Sequence, residues 1–232
     1  MSRKLQGSAN ISALGIHDVI PRIKWNRSPK KDTDERPMLS DIKSSCTSCV
    51  AKLITVVEKS SKEALRGHLL PVLYGSEGFV KCLESVFHFG FKSSRKFQKS
   101  LHIWDIIERT VEGLNIVTEE SISHEEESDS HILGQTPSPE AWRLFAGVVS
   151  RINNCLTSIG KDEKSVILFL LGLRDHHLST WIQMLALSSS THTLYEPTSF
   201  LRDPELLTFL LETMDATKTL TIVLEPLLVQ GL

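Results

Sequence analysis

The sequence predicts an all-α protein, a single bundle of about eight helices, on three observations. Apolar residues recur at three-and-four spacing through most of the chain, the period that places them on one face of a helix. Helix starts and stops punctuate these runs, with Ser138 before Pro139, Asp203 before Pro204 and Gly90 after Phe89. No run alternates convincingly between turn signals as a half-buried strand does, and TLTIVL, residues 219–224, is ambiguous between helix and strand. Helices that each carry one apolar face bury them by packing on one another.

Taken in order, residues 1–40 carry eight Lys or Arg against four Asp or Glu, and Pro21, Pro29 and Pro37 interrupt any helix. This predicts a mobile basic arm preceding a helical domain over 41–232. In DIKSSCTSCVAKLITVVEKS the residues Ile42, Cys46, Cys49, Val50, Leu53 and Val57 share a face, behind Asp41 as cap. In SEGFVKCLESVFHFG the residues Phe79, Cys82, Leu83, Val86 and Phe87 do the same, and Gly90 stands where a left-handed stop belongs. Ser100 is placed to cap LHIWDIIERTVE.

Residues 113–136 hold six acidic and no basic residues, with almost no apolar periodicity, and read as a solvated insertion loop. Ser138 and Pro139 then open a helix with Ala141, Phe145, Val148, Val149, Ile152 and Leu156 on one face and Gly160 at its end. EKSVILFLLGL is apolar nearly all round and belongs at the centre. LSTWIQMLAL follows, Asp203 and Pro204 start PELLTFLLETMDA, and KTLTIVLEPLLVQ closes the chain, with Pro226 kinking or ending it. Phe79, Leu83, Phe87, Trp104, Trp142, Phe145 and Trp181 read as core, since their spacing matches burial and each helix needs an anchor.

At 232 residues the chain is long enough to bury most of its apolar surface and fold alone. A net charge of −2, from 26 basic and 28 acidic residues, gives no footprint for nucleic acid. No apolar run reaches the length of a membrane span, and MSRKLQGSAN lacks the apolar core of a signal peptide. Four scattered cysteines do not form a secreted disulfide framework, which places the chain in the reducing cytosol.

Cys46 and Cys49 form a CxxC, but no second pair follows and no strand precedes it, so two core-facing thiols on a helix fit better than zinc or redox chemistry. His176 and His177 are adjacent, hence on different faces, and no metal-ligand spacing occurs. YGSEG lacks the Lys of a phosphate-binding loop, and Glu119 and Glu120 lie in a polar stretch that would raise no carboxyl for acid catalysis. The expectation is no enzyme, no metal and no cofactor.

Lys92, Arg95, Lys96 and Lys99 crowd the short connection after Gly90. Such a cluster is either a solvated loop or a docking surface for an acidic partner, with Phe97 as an anchor among the cations.

CLESVFHFGFKSSRKFQKSLHIWDII, residues 82–107, resembles the signature of RUN domains, in which a helix ends in a His-Gly-Leu-Lys type sequence, a variable loop follows, and the next helix opens with Trp. Cys82, Leu83, Glu84, Val86, Phe87, the stretch 88–92 and Trp104 carry the likeness. A second block, FLLGLRDHHLSTWIQML and then LYEPTSFLRDPELLTFLLETMDATKTLTIVL, is similar to the carboxy-terminal half of these domains through Tyr195, Pro197, Thr198, Leu201, Arg202 and Asp203. The likeness covers about 41–230, interrupted by the acidic stretch. It departs where Phe89 splits the usual His-Gly and where Glu163, Lys164, Ser165 and Val166 replace an Arg-Ala-Trp segment.

The resemblance implies a RUN-like bundle that acts as a non-catalytic adaptor or effector, binding a small GTPase of the Rab, Rap or Arf-like kinds in its GTP form. It implies work in endosomal, lysosomal or autophagic vesicle trafficking, in the cytoplasm and peripherally on those membranes, beside other domains of a longer scaffold. Lys92, Arg95, Lys96, Phe97 and Lys99 are then the expected partner-binding residues, and Lys164 keeps the charge, though not the planar fork, of the missing Arg. The alternative is a protein or anionic-lipid scaffold that needs no GTPase and uses the basic arm and loop on a membrane surface.

Overall fold

The computed structural model describes residues 39–59, 62–92, 101–120, 136–155 and 159–222. Among them lie nine helical segments: α1 (Leu39–Lys59), α2 (Lys62–Tyr74), α3 (Phe79–His88), α4 (Ile103–Glu120), α5 (Pro139–Cys155), α6 (Lys161–Arg174), α7 (Leu178–Leu187), α8 (Ser189–Leu194) and α9 (Pro204–Asp215). The sheet hydrogen bonding of the described residues is limited to one isolated antiparallel bridge, Phe91 to Tyr195. The protein is an all-α bundle.

The nearly all-apolar α6 lies at the centre, every residue from Ser165 to Leu173 buried, and it packs against α4, α5 and α7. Gly172 lets this happen: a Cβ there would stand 2.7 Å from Cε3 of Trp181 on α7, so the indole fits only where the facing backbone has no side chain. The two-sided burial of α6 follows from its composition, because a helix without a polar face has nothing to offer water.

One end of the bundle is built by α1, α2 and α3, with α9 closing against α1 and α7. On α1 the buried residues are Ile42, Cys46, Cys49, Val50 and Leu53, the apolar face that the spacing predicts. Phe79, Leu83, Phe87, Trp104, Phe145 and Trp181 are all buried to 1% exposure or less. Each such side chain contributes on the order of 2–3 kcal/mol by leaving water. Trp142 is half-buried, its ring edge-on to Phe145 at 6.4 Å.

Several local expectations change. α1 begins at Leu39, so Asp41 sits in its first turn rather than at its cap. Ser100 lies outside the described residues, and the α4 cap falls at His102, whose backbone N–H donates to the Asp105 carboxylate at 2.7 Å. The acidic stretch starts inside α4, since 113–120 are helical; in the sequence Val111, Leu114 and Val117 carry the helical period past Gly113. Gly160 caps the start of α6 with φ −73°, while α5 is described as far as Cys155 and Leu156 lies outside the described residues.

α2 was hidden by Pro71, which lies inside it; its carbonyl accepts Gly75 N–H at 2.8 Å, keeping the last turn closed. At the other end, the expected closing helix is absent over 218–222, where a turn and irregular backbone bury Leu220 and Ile222. Two apolar residues at alternate positions satisfy the core there without a helix, and Pro226 lies outside the described residues.

Candidate partner-binding face

The end of α3 is shaped by its backbone. Phe89 N–H donates to Ser85 O at 3.1 Å, and Gly90 takes φ +74°, the left-handed conformation that L side chains avoid. The chain then runs antiparallel to the segment after α8. Lys92 N–H donates to Leu194 O at 2.9 Å and Glu196 N–H donates to Gly90 O at 2.8 Å. Between these bonds the Phe91 ring lies 5.2 Å from that of Tyr195.

Tyr195 ties the junction to the core. Its buried O–H donates to Phe87 O at 2.8 Å, satisfying one of the carbonyls that a helix end leaves open. Burial also pushes its phenol well above the ordinary value, so the proton stays in place. Arg202 donates to the Tyr195 carbonyl at 2.9 Å, and Asp203 caps α9 by accepting the N–H groups of Glu205 and Leu206 at 3.0 Å. Phe89 meets Phe200 edge-on at 5.7 Å. The HFGFK and YEPTSFLRD stretches, far apart in sequence, are therefore one interlocked piece of structure.

The connection that leaves this junction returns to the bundle at Leu101, packed on the core, and at His102. His102 Nδ1 donates to Asp162 Oδ1 at 2.7 Å, and Lys161 forms an ion pair with Asp105 and lies 3.7 Å from Glu108. Trp104 Nε1 donates to Glu108 at 2.9 Å and to Asn153 at 3.2 Å. Burial alone pushes the Asp105 carboxyl up, but the Lys161 ammonium and the His102 N–H outweigh it and hold the group below its ordinary value. The hydrogen bond to Asp105 holds Lys161 above its own.

Of the expected partner-binding residues, Lys92 is exposed at the junction. Arg95, Lys96, Phe97 and Lys99 lie outside the described residues. Lys164 is turned inward: its ammonium donates to Asn153 Oδ1 at 2.9 Å and sits 5.9 Å from the centre of the Trp104 ring. The network of Trp104, Glu108 and Asn153 is not legible in the sequence, because Asn153 comes from α5 while the other two lie on α4; the Trp104–Glu108 spacing of one helical turn is its one local sign.

The two interlocked blocks decide what the fold is. A family model described as RUN domain matches residues 78–226. The chain belongs to the RUN-domain family. RUN domains are protein-interaction modules of the adaptor and effector kind, linked to small GTPases and generally non-catalytic. In this RUN domain the match opens at Gly78, so α1 and α2 precede it. No helix of the described residues is long and apolar enough to cross a membrane, and no cluster of three or more His, Cys, Asp or Glu among them is arranged to hold a metal ion.

Proposed function

We propose that this RUN domain docks a small GTPase of the Rab, Rap or Arf-like kinds in its GTP form, as an adaptor at the cytoplasmic surface of endosomal or lysosomal membranes in vesicle or autophagic traffic. The contact includes the basic connection from Lys92 through Arg95, Lys96 and Lys99, with Phe97 as an apolar anchor. The observation that carries this reading is the double tether of that connection, by the Lys92–Leu194 hydrogen bond at one end and by His102 with Asp105 at the other. Cations in the sequence between these two points give an acidic partner a positive potential that steers its approach.

The test is capture of Rab, Rap and Arf-like GTPases, each loaded with a GTP analogue or GDP, by the full chain and by its Lys92→Glu, Arg95→Glu, Lys96→Glu, Lys99→Glu variant. The expected result is GTP-selective capture of at least one GTPase, reduced tenfold or more by the four reversals. Silence across the panel from a folded chain, together with salt-sensitive binding to anionic vesicles, overturns the reading in favour of a lipid scaffold.

A further inference from the structure

Three thiols meet where α1 packs on α3. Cys46 and Cys49 come from α1 and Cys82 from α3, with exposures of 0%, 1% and 2%. Cys82 donates its S–H to Cys46 Sγ at 2.9 Å, and Cys49 donates to the Cys46 carbonyl at 3.2 Å. Hydrogen bonding to Cys46 and Cys49, with burial, keeps the Cys82 thiol protonated far above its ordinary value, while the bond from Cys82 draws Cys49 below its own. A buried cysteine usually serves as a small apolar side chain. Here two sulfurs from different helices stand 2.9 Å apart, so a bond of roughly 2.05 Å asks for a closure of about 1 Å between them.

We propose that Cys46 and Cys82 form a reversible disulfide when the protein meets a hydroperoxide, stapling α1 to the helix in which the RUN match begins. One thiol attacks the peroxide O–O bond, which breaks to release an alcohol, or water from hydrogen peroxide, and leaves a sulfenic acid. The second thiol attacks that sulfur; the S–S bond forms, the S–O bond breaks, and the hydroxyl leaves as water with the second thiol's proton. The two thiols lose two electrons and two protons, and the hydroperoxide takes them up. Because both sulfurs are buried, the oxidant enters when α1 opens locally, and the reaction rate follows that opening. Cys46 and Cys49 precede the family match and Cys82 lies within it, so the bond joins the leading helices to the family bundle covalently.

The experiment treats the folded full chain with tert-butyl hydroperoxide, blocks free thiols and digests with trypsin. The expected product joins peptide 44–52 to peptide 82–92 with two hydrogens lost, and fragment ions place the link on Cys46. The closed loop restricts the unfolded chain, so Tm rises by on the order of 10 °C and returns with dithiothreitol. Cys49→Ala keeps the link and the Tm rise, whereas Cys46→Ala and Cys82→Ala lose both. The proposal is overturned if both thiols remain free after oxidation, if Cys46 pairs with Cys49, or if Cys46→Ala still links through Cys49. Should an alanine variant fail to fold, the fragment ions from the unsubstituted chain decide the pairing alone.

Discussion

Tyr195 reaches across 108 residues of sequence to donate its O–H to the carbonyl of Phe87, 2.8 Å away. A single hydroxyl thus closes the end of α3 and fastens it to the turn before α9. Tyr195→Phe leaves that carbonyl buried with a lost partner and is expected to cost about 1–3 kcal/mol, read as a lower urea midpoint at unchanged m-value. Ser199 supplies the contrast, since its buried hydroxyl has no hydrogen-bond partner among the described residues. Ser199→Ala is expected to be neutral or stabilising by up to about 1 kcal/mol, and a loss as large as that of Tyr195→Phe would refute the distinction.

Gly90 carries two separate requirements. Its φ of +74° disfavours any L side chain, and an added Cβ would stand 2.8 Å from Ser199 Cβ. Gly90→Ala is expected to cost about 1–2 kcal/mol from the backbone alone and more from the collision. Combining it with Ser199→Gly should restore part of the collision cost and none of the backbone cost, measured as a double-mutant cycle by chemical denaturation.

The helix ends that were legible in the sequence are those set by short-range chemistry. Ser138 accepts Ala141 N–H at 3.2 Å, Asp203 caps α9, and Gly90 turns left-handed, all within a few residues of the signal itself. What stayed illegible was either an exception to a local rule or a product of the fold. Pro71 argues against the helix that contains it, because a proline removes a donor whose loss tertiary packing can offset. The inward turn of Lys164 depends on Asn153 from another helix, which no periodicity reports. The basic cluster was visible as composition, but the rigid junction at its start rests on a pairing between residues 90–92 and 194–196 that only the folded chain creates.

His176 is an exposed non-glycine residue at φ 61°, in the turn between α6 and α7. The next residue closes the helix end, with His177 N–H donating to Gly172 O at 2.8 Å. His176→Gly is expected to relieve the backbone and raise stability by about 0.5–1 kcal/mol. Thermal unfolding monitored by circular dichroism reads this as a Tm rise of a few degrees, and a fall would show that the imidazole does more than occupy a turn.

Asp105 and Lys161 make the bundle pH-dependent within a definable window. The Asp105 carboxyl is held low in the fold, so its contribution is complete above the unfolded carboxyl value, about 3.9, and vanishes as pH falls through the lower folded value. Lys161 is held high, so its share is complete below about 10.4 and is lost as pH rises through its raised folded value. Both groups are partly solvated, which limits the pair to about 0.5–1 kcal/mol. Asp105→Asn keeps an acceptor for the His102 N–H and removes the charge. Its deficit against the unsubstituted chain is expected in full at pH 7 and to fade as pH falls below about 3.9 and through the lowered folded value, and urea midpoints that stay parallel across that fall would refute the assignment.

Lys92 and Lys164 separate docking from folding. Lys164 already commits its ammonium to Asn153 and the Trp104 ring, so Lys164→Ala is expected to cost about 1 kcal/mol of stability and leave partner association unchanged. Lys92 is exposed, and Lys92→Glu should shift stability by no more than about 0.5 kcal/mol. If the basic connection steers the partner, Lys92→Glu slows association with the captured GTPase several-fold at low salt, and the difference shrinks as salt rises, because screening removes a long-range field before it removes a contact. Association rates measured for both variants at two ionic strengths decide the matter. The reverse pattern, slowed association with Lys164→Ala and an unchanged rate with Lys92→Glu, would move the docking face from the α3–α4 connection to the start of α6.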